Sequence, residues 1–356
     1  MNIHGGNIWD FKDQPLLDYS SNINPLGVPD SFQRAMLQYM EEFTKYPDLQ
    51  YREVKQSVRR YLYAGSMEPD VSVILGNGSA EIFYKAMTWS SISDVVISVP
   101  TFNEYARAAS FAGKPCTAVP LKEEDEFHPD LSAMLPYIKH GTLCLLCNPN
   151  NPTGQLILGS ELRPFLDELQ RKGAYLIVDE CFIEFSHQSL AQSMVEAVPF
   201  HPNLMIVRAA TKFFGMPGLR FGYGVTSNVA WAHEMEAQME PWHINAAAVV
   251  ASRCIFQDLS YVEKTRQWFE TERPSFLSGL LQWDNVHVYP GHACFFLLRA
   301  EDAAKTERIY TELLQEGILI RRAAGFENLS ARHFRVALKD ARSNAHFIQA
   351  IQKRGL

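Results

Sequence analysis

The sequence has no apolar run approaching the roughly 20 residues needed to cross a bilayer. It also lacks a basic stretch followed by an apolar one near Met1, so we expect no secretory signal and predict a cytoplasmic protein. Basic residues are scattered and the formal net charge is −7, which gives no general attraction to nucleic acid or anionic membranes. The 356 residues are instead 47% hydrophobic, which is ample for a large buried core.

Cysteine is scarce, with six in the chain. All but Cys254 lie in segments with a strand pattern or at strand ends, so we expect reduced core residues. Cys144 and Cys147 form a C-x-x-C pair inside an apolar run. Because no second pair accompanies them, we predict a structural role and no metal site.

Short apolar segments alternate with helix patterns through the middle of the chain. The strand patterns cover residues 71–75, 95–99, 143–147, 175–178, 204–207 and 221–225. Wholly apolar strands alternating with helices are typical of a mostly parallel sheet covered on both faces. The fold class is therefore predicted as α/β, with a large domain over residues 27–240.

The last third of the chain has a different pattern. A long helical tract over 244–282, broken or bent near Pro274, precedes short strands and two further helices. This pattern predicts a smaller α+β domain over residues 241–356. Residues 1–26 are predicted to form an N-terminal arm that packs with it.

The segment Gly76-Asn77-Gly78-Ser79-Ala80-Glu81 lies between a predicted strand and a predicted helix. Glycine lets the backbone approach a phosphate, and a helix N-terminus offers free N–H groups. A dinucleotide fingerprint needs a third glycine where Glu81 stands, so a single phosphate fits better than a pyrophosphate. The alternative is an ordinary turn with a serine cap.

Asp179 and Lys212 each follow a predicted buried strand. The Asp179 carboxylate could pair with a protonated pyridine nitrogen, which would keep that ring an electron sink. The alternative is that Asp179 only caps a turn. Lys212, after Thr211 and before two phenylalanines, would have its pKa lowered by desolvation, as an imine-forming lysine requires. Arg220 could give a bidentate phosphate contact. The alternative is a surface loop that carries a Lys and an Arg.

The run Cys147-Asn148-Pro149-Asn150-Asn151-Pro152-Thr153-Gly154 contains two Asn-Pro pairs. Such pairs restrict the loop and allow a cis bond. The loop could aim an Asn amide at a ring oxygen, and the alternative is a rigid turn without a ligand.

Along the chain the four features follow in the order glycine-rich segment, Asn-Pro loop, Asp179, and Lys212 with Arg220. In that order they resemble the fold-type I, aspartate-aminotransferase-like family of pyridoxal 5'-phosphate (PLP) enzymes. The resemblance covers nearly the whole chain. It implies catalytic roles for Lys212, linked to PLP as an imine, and for Asp179 on the pyridine nitrogen. It further implies Asn151 on the ring hydroxyl and Phe102 on the ring face. The remaining cofactor residues implied, mostly at its phosphate, are Gly78, Ser79, Ala80, Thr211 and Arg220.

The same resemblance suggests substrate and subunit contacts. Arg335 matches the arginine that grips a substrate α-carboxylate. Tyr46 resembles a tyrosine that reaches a neighbouring subunit's cofactor phosphate, which implies a homodimer with shared sites. Two positions depart from the family pattern. Ala209 replaces a Ser or Thr on the phosphate, and Phe182 replaces a Tyr that bonds the ring hydroxyl in many aminotransferases.

The N-terminal segments narrow the reaction. His4-Gly5-Gly6-Asn7 and Asp18-Tyr19-Ser20-Ser21-Asn22-Ile23-Asn24-Pro25-Leu26-Gly27 resemble the threonine-phosphate decarboxylases of cobalamin biosynthesis. Histidinol-phosphate aminotransferases share part of these features but usually lack the opening His-Gly-Gly. Arg321 matches a substrate-binding arginine in both. His4, Gly5, Asn22 and Asn151 are further substrate candidates.

The resemblance therefore implies decarboxylation of an O-phospho-L-amino acid, with an aminotransferase as the alternative. In this family, the bond to the substrate α-carbon that is aligned with the π system of the cofactor ring breaks. How the arginines hold the substrate decides whether that is the bond to the carboxylate or the C–H bond. Phosphothreonine and phosphoserine differ by one methyl, worth only about 1–3 kcal/mol in a hydrophobic pocket. A ligand-sensing part of a transcription regulator is disfavoured, since nothing before residue 27 could form a DNA-binding domain.

Overall fold

The protein is described from a computed structural model that covers residues 5–11, 16–65 and 67–356. Its strands are β1 (Leu17–Asp18), β2 (Ser72–Asn77), β3 (Asp94–Val99), β4 (Cys116–Pro120), β5 (Thr142–Cys147), β6 (Tyr175–Asp179), β7 (Leu204–Ala209), β8 (Phe221–Thr226), β9 (Val286–Val288), β10 (Phe295–Ala300), β11 (Ile318–Leu319), β12 (Arg321–Arg322) and β13 (His333–Ala337). Its α-helices are α1 (Asp30–Gln38), α2 (Arg52–Leu62), α3 (Ser79–Ala86), α4 (Glu104–Phe111), α5 (Gly159–Lys172), α6 (His187–Leu190), α7 (Val229–Ala237), α8 (Ala246–Ser252), α9 (Leu259–Leu280), α10 (Ala303–Gln315) and α11 (Ala341–Arg354).

A seven-stranded sheet in the order β2-β8-β7-β6-β5-β3-β4 forms the centre of the molecule. β8 runs antiparallel to both neighbours, whereas the pairs from β7 through β4 are parallel. Side chains alternate between two cores, so that Leu176 and Val178 face one and Ile177 faces the other. The predicted α/β class with a mostly parallel sheet is confirmed.

A second sheet in the order β12-β13-β10-β9 is antiparallel throughout. The N-terminal segment joins this part of the chain, since Leu17 pairs with Ile318 and the Ala337 amide donates to the Tyr19 carbonyl at 2.9 Å. The Tyr19 ring packs on Phe347, with ring centroids 4.8 Å apart. The boundaries at 26/27 and 240/241 remain a proposal.

The helical tract after residue 244 differs from the prediction. Its break lies between α8 and α9, over residues 253–258, and α9 continues through Pro274. Asp258 accepts a hydrogen bond from the Tyr261 amide at 3.0 Å, so this side chain caps α9. β4 is not among the predicted strand ranges, although Cys116 at its start was assigned to a strand pattern or strand end. It is an edge strand whose partly exposed residues lack the apolar pattern of the buried strands.

The cysteines are free, but they are not all core residues as expected. Cys116 is exposed because it begins the edge strand β4, and Cys254 is half-buried. Cys144 and Cys147 are both buried in β5. Within the described part of the chain, no helix is long and apolar enough to span a membrane.

Candidate active site

A cavity of about 230 Å³ opens beyond the carboxyl ends of β5, β6 and β7, the usual ligand position in an open α/β sheet. The cofactor candidates that line it are Ser79, Ala80, Phe102, Asn151, Asp179, Thr211, Lys212 and Arg220. The substrate candidates Gly5, Asn22, Arg321 and Arg335 line it as well. Residues predicted from segments far apart in the sequence thus share one cavity.

Among the described residues, two predicted site residues do not line this cavity. Gly78 lies directly behind it, beneath Arg220. Tyr46 is 79% exposed, and its ring stacks on Trp242 with centroids 4.4 Å apart. His4 falls outside the described residues.

Lys212 lies in the turn that follows β7, between the two sheets. Desolvation, followed by the positive charge of Arg335, lowers the pKa of its amine from 10.5 to about 8. A substantial neutral fraction near pH 8 is what a lysine needs in order to act as a nucleophile.

Asp179 ends β6 with its carboxylate buried. Tyr105 donates its hydroxyl to Oδ2 at 2.6 Å, and the Cys181 amide donates to Oδ1 at 2.9 Å. Burial raises the pKa of Asp179, while these two hydrogen bonds oppose the rise. Asp179 is therefore oriented by fixed donors and could accept a further bond from a cationic ring nitrogen.

An anion-binding corner forms where β2 leads into α3. The first turn of α3 has no side-chain cap, and Ser79 and Ala80 at its start line the cavity. Arg220 crosses Gly78 and donates to the Asn77 carbonyl at 3.2 Å. Gly78 has φ +81, and a Cβ there would lie 2.2 Å from Arg220 Nη2. Glycine is thus required for this corner, which suits a phosphate group.

Arg321 and Arg335 are directly opposite each other on β12 and β13. Both are buried, and burial lowers the pKa of each. Like charges at opposed strand positions are unfavourable, so this pairing favours an anion between or beside them. Arg335 donates to Asn151 Oδ1 and, at 2.8 Å, to the Ser20 carbonyl. Its Nε atom is buried without a hydrogen-bond partner.

The N-terminal segment closes one side of the cavity. A Cβ on Gly5 would lie 2.2 Å from the Ser20 carbonyl oxygen, and the Gly6 amide donates to Ser20 Oγ at 2.8 Å. Asn22 is buried, and its Oδ1 has no hydrogen-bond partner. This orphaned acceptor beside the cavity is consistent with a polar ligand group.

The Asn-Pro loop is held mainly by Asn150. Its side chain donates to the Pro100 carbonyl and to Thr153 Oγ1, and it accepts from Thr101 Oγ1, all at 2.9 Å. Both Asn-Pro bonds are cis. These contacts leave the neighbouring Asn151 in the cavity wall, where it meets Arg335.

The two departures from the family pattern both lie in the cavity wall. Ala209 contributes a methyl group where a hydroxyl could have bonded a phosphate. The Phe182 ring packs edge-on against Phe295, with centroids 5.1 Å apart, and Arg335 lies 5.2 Å from the same Phe295 ring. Phe182 therefore supports the arginine's aromatic platform.

Tyr105 and Ser20 contribute to this site but were not predicted from the sequence. Tyr105 lies in the first turn of α4, three residues after Phe102, and that closeness in sequence was the available signal. Ser20 acts through its backbone carbonyl, which no side-chain pattern can reveal.

The donor set fits a PLP molecule. Among the described residues, the cavity wall contains four cationic side chains, those of Lys212, Arg220, Arg321 and Arg335, and one carboxylate, that of Asp179. One corner suits a phosphate, a buried carboxylate suits a pyridinium nitrogen, and a lysine of lowered pKa suits covalent attachment.

Comparisons with known proteins agree with this chemistry. The family model "Aminotransferase class I and II" matches residues 14–351. A relative from Caldanaerobacter subterraneus subsp. tengcongensis, provisionally named a threonine-phosphate decarboxylase, is 36% identical over 98% of this chain and 93% of its own length. The threonine-phosphate decarboxylase of Salmonella typhimurium is 33% identical over 98% of this chain and 95% of its own.

A similar solved structure is named for the alternative activity, that of an aminotransferase. The histidinol-phosphate aminotransferase from Clostridium acetobutylicum superimposes with a TM-score of 0.89 at 35% identity, covering 96% of this chain and 100% of that one. Both activities thus occur among relatives of similar identity to this chain.

We predict that borohydride will fix PLP to the peptide that contains Lys212. Attachment requires the neutral amine, so its rate should rise with pH and level off above about 8. Peptide mapping by mass spectrometry measures the position. Lys212→Ala should abolish labelling, whereas Lys339→Ala, at another lysine whose pKa is lowered by burial, should keep it. Label on Lys339 in the wild type would refute the assignment.

We predict that Gly78→Ala weakens cofactor binding about tenfold, because the new methyl group meets Arg220 and strains a positive-φ residue. Gly218→Ala is the matched control, since a Cβ there has no heavy atom within 4 Å. Titrating the cofactor-free proteins with PLP and following absorbance gives both dissociation constants. Equal constants for the two variants would show that Arg220 does not need this glycine.

Proposed function

This chain belongs to the PLP-dependent class I and II aminotransferase family, and we propose that within it the chain decarboxylates an O-phospho-L-amino acid. L-Threonine O-3-phosphate is the first choice, giving (R)-1-aminopropan-2-yl phosphate for cobalamin biosynthesis, and O-phosphoserine is a possible second substrate. The observation that carries the proposal is the opposed pair Arg321 and Arg335 in the cavity wall. Two cations suit a small substrate with an anion at each end.

The similarity to two proteins named as threonine-phosphate decarboxylases supports this choice. The second candidate is a histidinol-phosphate aminotransferase, favoured by the structure from Clostridium acetobutylicum. In transamination, a dicarboxylic acid that accepts the amino group, such as 2-oxoglutarate, would also present two anionic ends to the arginines. The two reactions differ in the bond of the substrate α-carbon that is broken, which is the bond to the carboxylate in decarboxylation and the C–H bond in transamination.

We propose that Ser79, Ala80 and Arg220, with Gly78 behind them, hold the cofactor phosphate. Asp179 would bond the ring nitrogen, Asn151 the ring hydroxyl, and Phe102 the ring face, with Thr211 beside Lys212. When bound, PLP supplies an electron sink for charge that develops at a substrate α-carbon. The Tyr105 and Cys181 donors would keep Asp179 oriented toward that ring nitrogen.

In decarboxylation, the bond between the α-carbon and the carboxylate carbon breaks and carbon dioxide leaves. Lys212 Nζ would then donate a proton to the α-carbon. Its pKa of about 8 makes proton transfer in either direction accessible near neutral pH. In transamination, the same amine would instead remove the α-proton.

The arginines would select between these outcomes by orienting the substrate. Arg335 would hold the carboxylate, and Arg321, with Gly5 and Asn22, would hold the phosphate end. His4, which adjoins Gly5 in the sequence, is a further candidate for that end. Phe182 supports decarboxylation because it lacks the hydroxyl that many aminotransferases keep at this position. Its packing on Phe295 also stabilises the platform beneath Arg335.

We further propose a homodimer. Residues 37–49 expose five large apolar side chains, namely Leu37, Met40, Phe43, Tyr46 and Leu49. Exposed apolar clusters of this kind mark interaction surfaces. Tyr46 would reach the partner's cofactor phosphate. The six free cysteines support a reducing, cytoplasmic location.

We predict that incubation with O-phosphothreonine releases carbon dioxide and an aminoalkyl phosphate. O-Phosphoserine should react more slowly, by about tenfold, because one methyl contact is lost. Histidinol phosphate with 2-oxoglutarate should give no glutamate. Carbon dioxide and glutamate are measured separately by gas trapping and chromatography. Glutamate from histidinol phosphate, without carbon dioxide from either phospho-amino acid, would instead establish the aminotransferase.

We predict that Lys212→Ala and Tyr46→Ala chains complement each other when mixed. Half of randomly formed dimers would be mixed, and each would contain one intact site, so activity should recover to about a quarter of the wild type. Activity after unfolding and refolding the mixture measures this recovery. Refolding each variant alone is the control. A fully active monomer in sedimentation would exclude the shared site.

A further inference from the structure

Asn24 connects the N-terminal segment to the loop that carries Lys212. It is only 2% exposed. Its side-chain amide nitrogen lies 2.7 Å from the Phe213 carbonyl, 2.8 Å from Thr265 Oγ1 and 3.0 Å from the Tyr261 hydroxyl. Asn24 Oδ1 accepts from the Leu26 amide at 3.0 Å. Both polar ends of the amide are therefore engaged.

The lysine loop is held between this segment and α9. The Asn24 backbone amide donates to the Lys212 carbonyl at 3.2 Å, so Asn24 binds two consecutive residues of the loop. Gly215 packs so closely on Gly27 that a Cβ there would lie 2.7 Å from the Gly27 carbonyl oxygen. The Tyr261 hydroxyl donates to that same oxygen at 2.7 Å. The loop cannot shift without breaking these contacts.

The same short segment reaches the substrate side of the cavity. Four residues before Asn24, the Ser20 carbonyl accepts from Arg335 at 2.8 Å. Asn22, between the two, lines the cavity. Residues 20–24 thus contact both the lysine and the arginine proposed to act on one substrate.

We propose that Asn24 is a positioning residue that holds the Lys212 loop at a set distance from Arg335 and Asn22. The inference rests on the proposed role of Lys212 but not on which reaction is catalysed. A misplacement of about 1 Å between reacting groups can cost a hundredfold in rate, so such a tie matters for catalysis. Asn24 itself does not line the cavity, and it acts through the lysine loop.

A buried asparagine can also be purely structural, and Asn203 provides that comparison. It is likewise buried, and its amide donates to the Leu166 and Ala174 carbonyls at 3.4 and 3.3 Å. Asn203 precedes β7, at the end of that strand opposite to Lys212. Asn203→Ser should therefore reduce stability without affecting the site.

The test compares Asn24→Ser with Asn203→Ser in the full-length, PLP-loaded protein. Three quantities are measured: the melting temperature, kcat with KM, and the pH midpoint of the visible absorbance of bound PLP. Both variants should melt earlier than the wild type. Asn24→Ser alone should lower kcat about tenfold and move the midpoint upward. This midpoint reports protonation of the Lys212 nitrogen that carries PLP. An upward shift is expected because a loosened loop would expose that nitrogen to water and move it away from the positive charges of Arg335 and Arg220, and both changes favour its protonated form. The other titratable groups that act on Lys212 are Cys294 and Cys181.

Tyr261→Phe is a second, milder variant if Asn24→Ser does not fold. It removes the bonds that the Tyr261 hydroxyl makes with Gly27 and with the Asn24 amide, and it leaves the Asn24 bond to Phe213, so it should shift the midpoint in the same direction by less. The proposal is overturned if Asn24→Ser and Tyr261→Phe keep the wild-type midpoint and kcat. Failure of the proposed role of Lys212 is seen separately, because the wild-type protein would then carry no PLP on Lys212.

Discussion

Like-charged side chains in one cavity are the constraint around which this molecule is organised. Arg321 and Arg335 face each other across two strands, and Lys212 and Arg220 complete the wall. Burying cations without partners is unfavourable, so the surrounding chain provides oxygen acceptors and an aromatic ring. Arg335 is buried, bonds Asn151 and the Ser20 carbonyl and lies over Phe295, whereas Arg220 is exposed and bonds the Asn77 carbonyl. The lowered pKa of Lys212 is a direct consequence of the same burial and charge.

Asp179, the last residue of β6, and Glu180, directly after it, are neighbouring acids with different surroundings. Asp179 faces the cavity side, where Tyr105 and the Cys181 amide bind it. Glu180 accepts from Arg208 Nε and Nη2 at 3.0 and 2.8 Å, and from the Met194 amide at 2.8 Å. Because successive strand residues point to opposite faces, one carboxylate stays available to a ligand while the other is fully satisfied within the protein.

Much of the site could be predicted because its residues follow buried strands. Asp179 ends β6, Lys212 lies in the turn after β7, and the Asn-Pro loop follows β5, and parallel strands bring their carboxyl ends to one edge. Tyr105 was missed because its partner, Asp179, is 74 residues away. The position of the break after α8 was missed because a proline inside a helix is a stronger sequence signal than an aspartate cap.

The sequence alone determined the α/β class, and it predicted Gly78, Asp179 and Lys212 as site residues, since each prediction depends on local pattern and residue chemistry. The tertiary structure decided which groups meet. It brought the Ser20 carbonyl to Arg335 across 315 residues and Asn24 to Phe213 across 189. It also set Arg321 opposite Arg335, because the register of two antiparallel strands depends on the packing of both faces of the small sheet. Contacts of that range arise only when separate segments bury their apolar surfaces together, so no local pattern carries them.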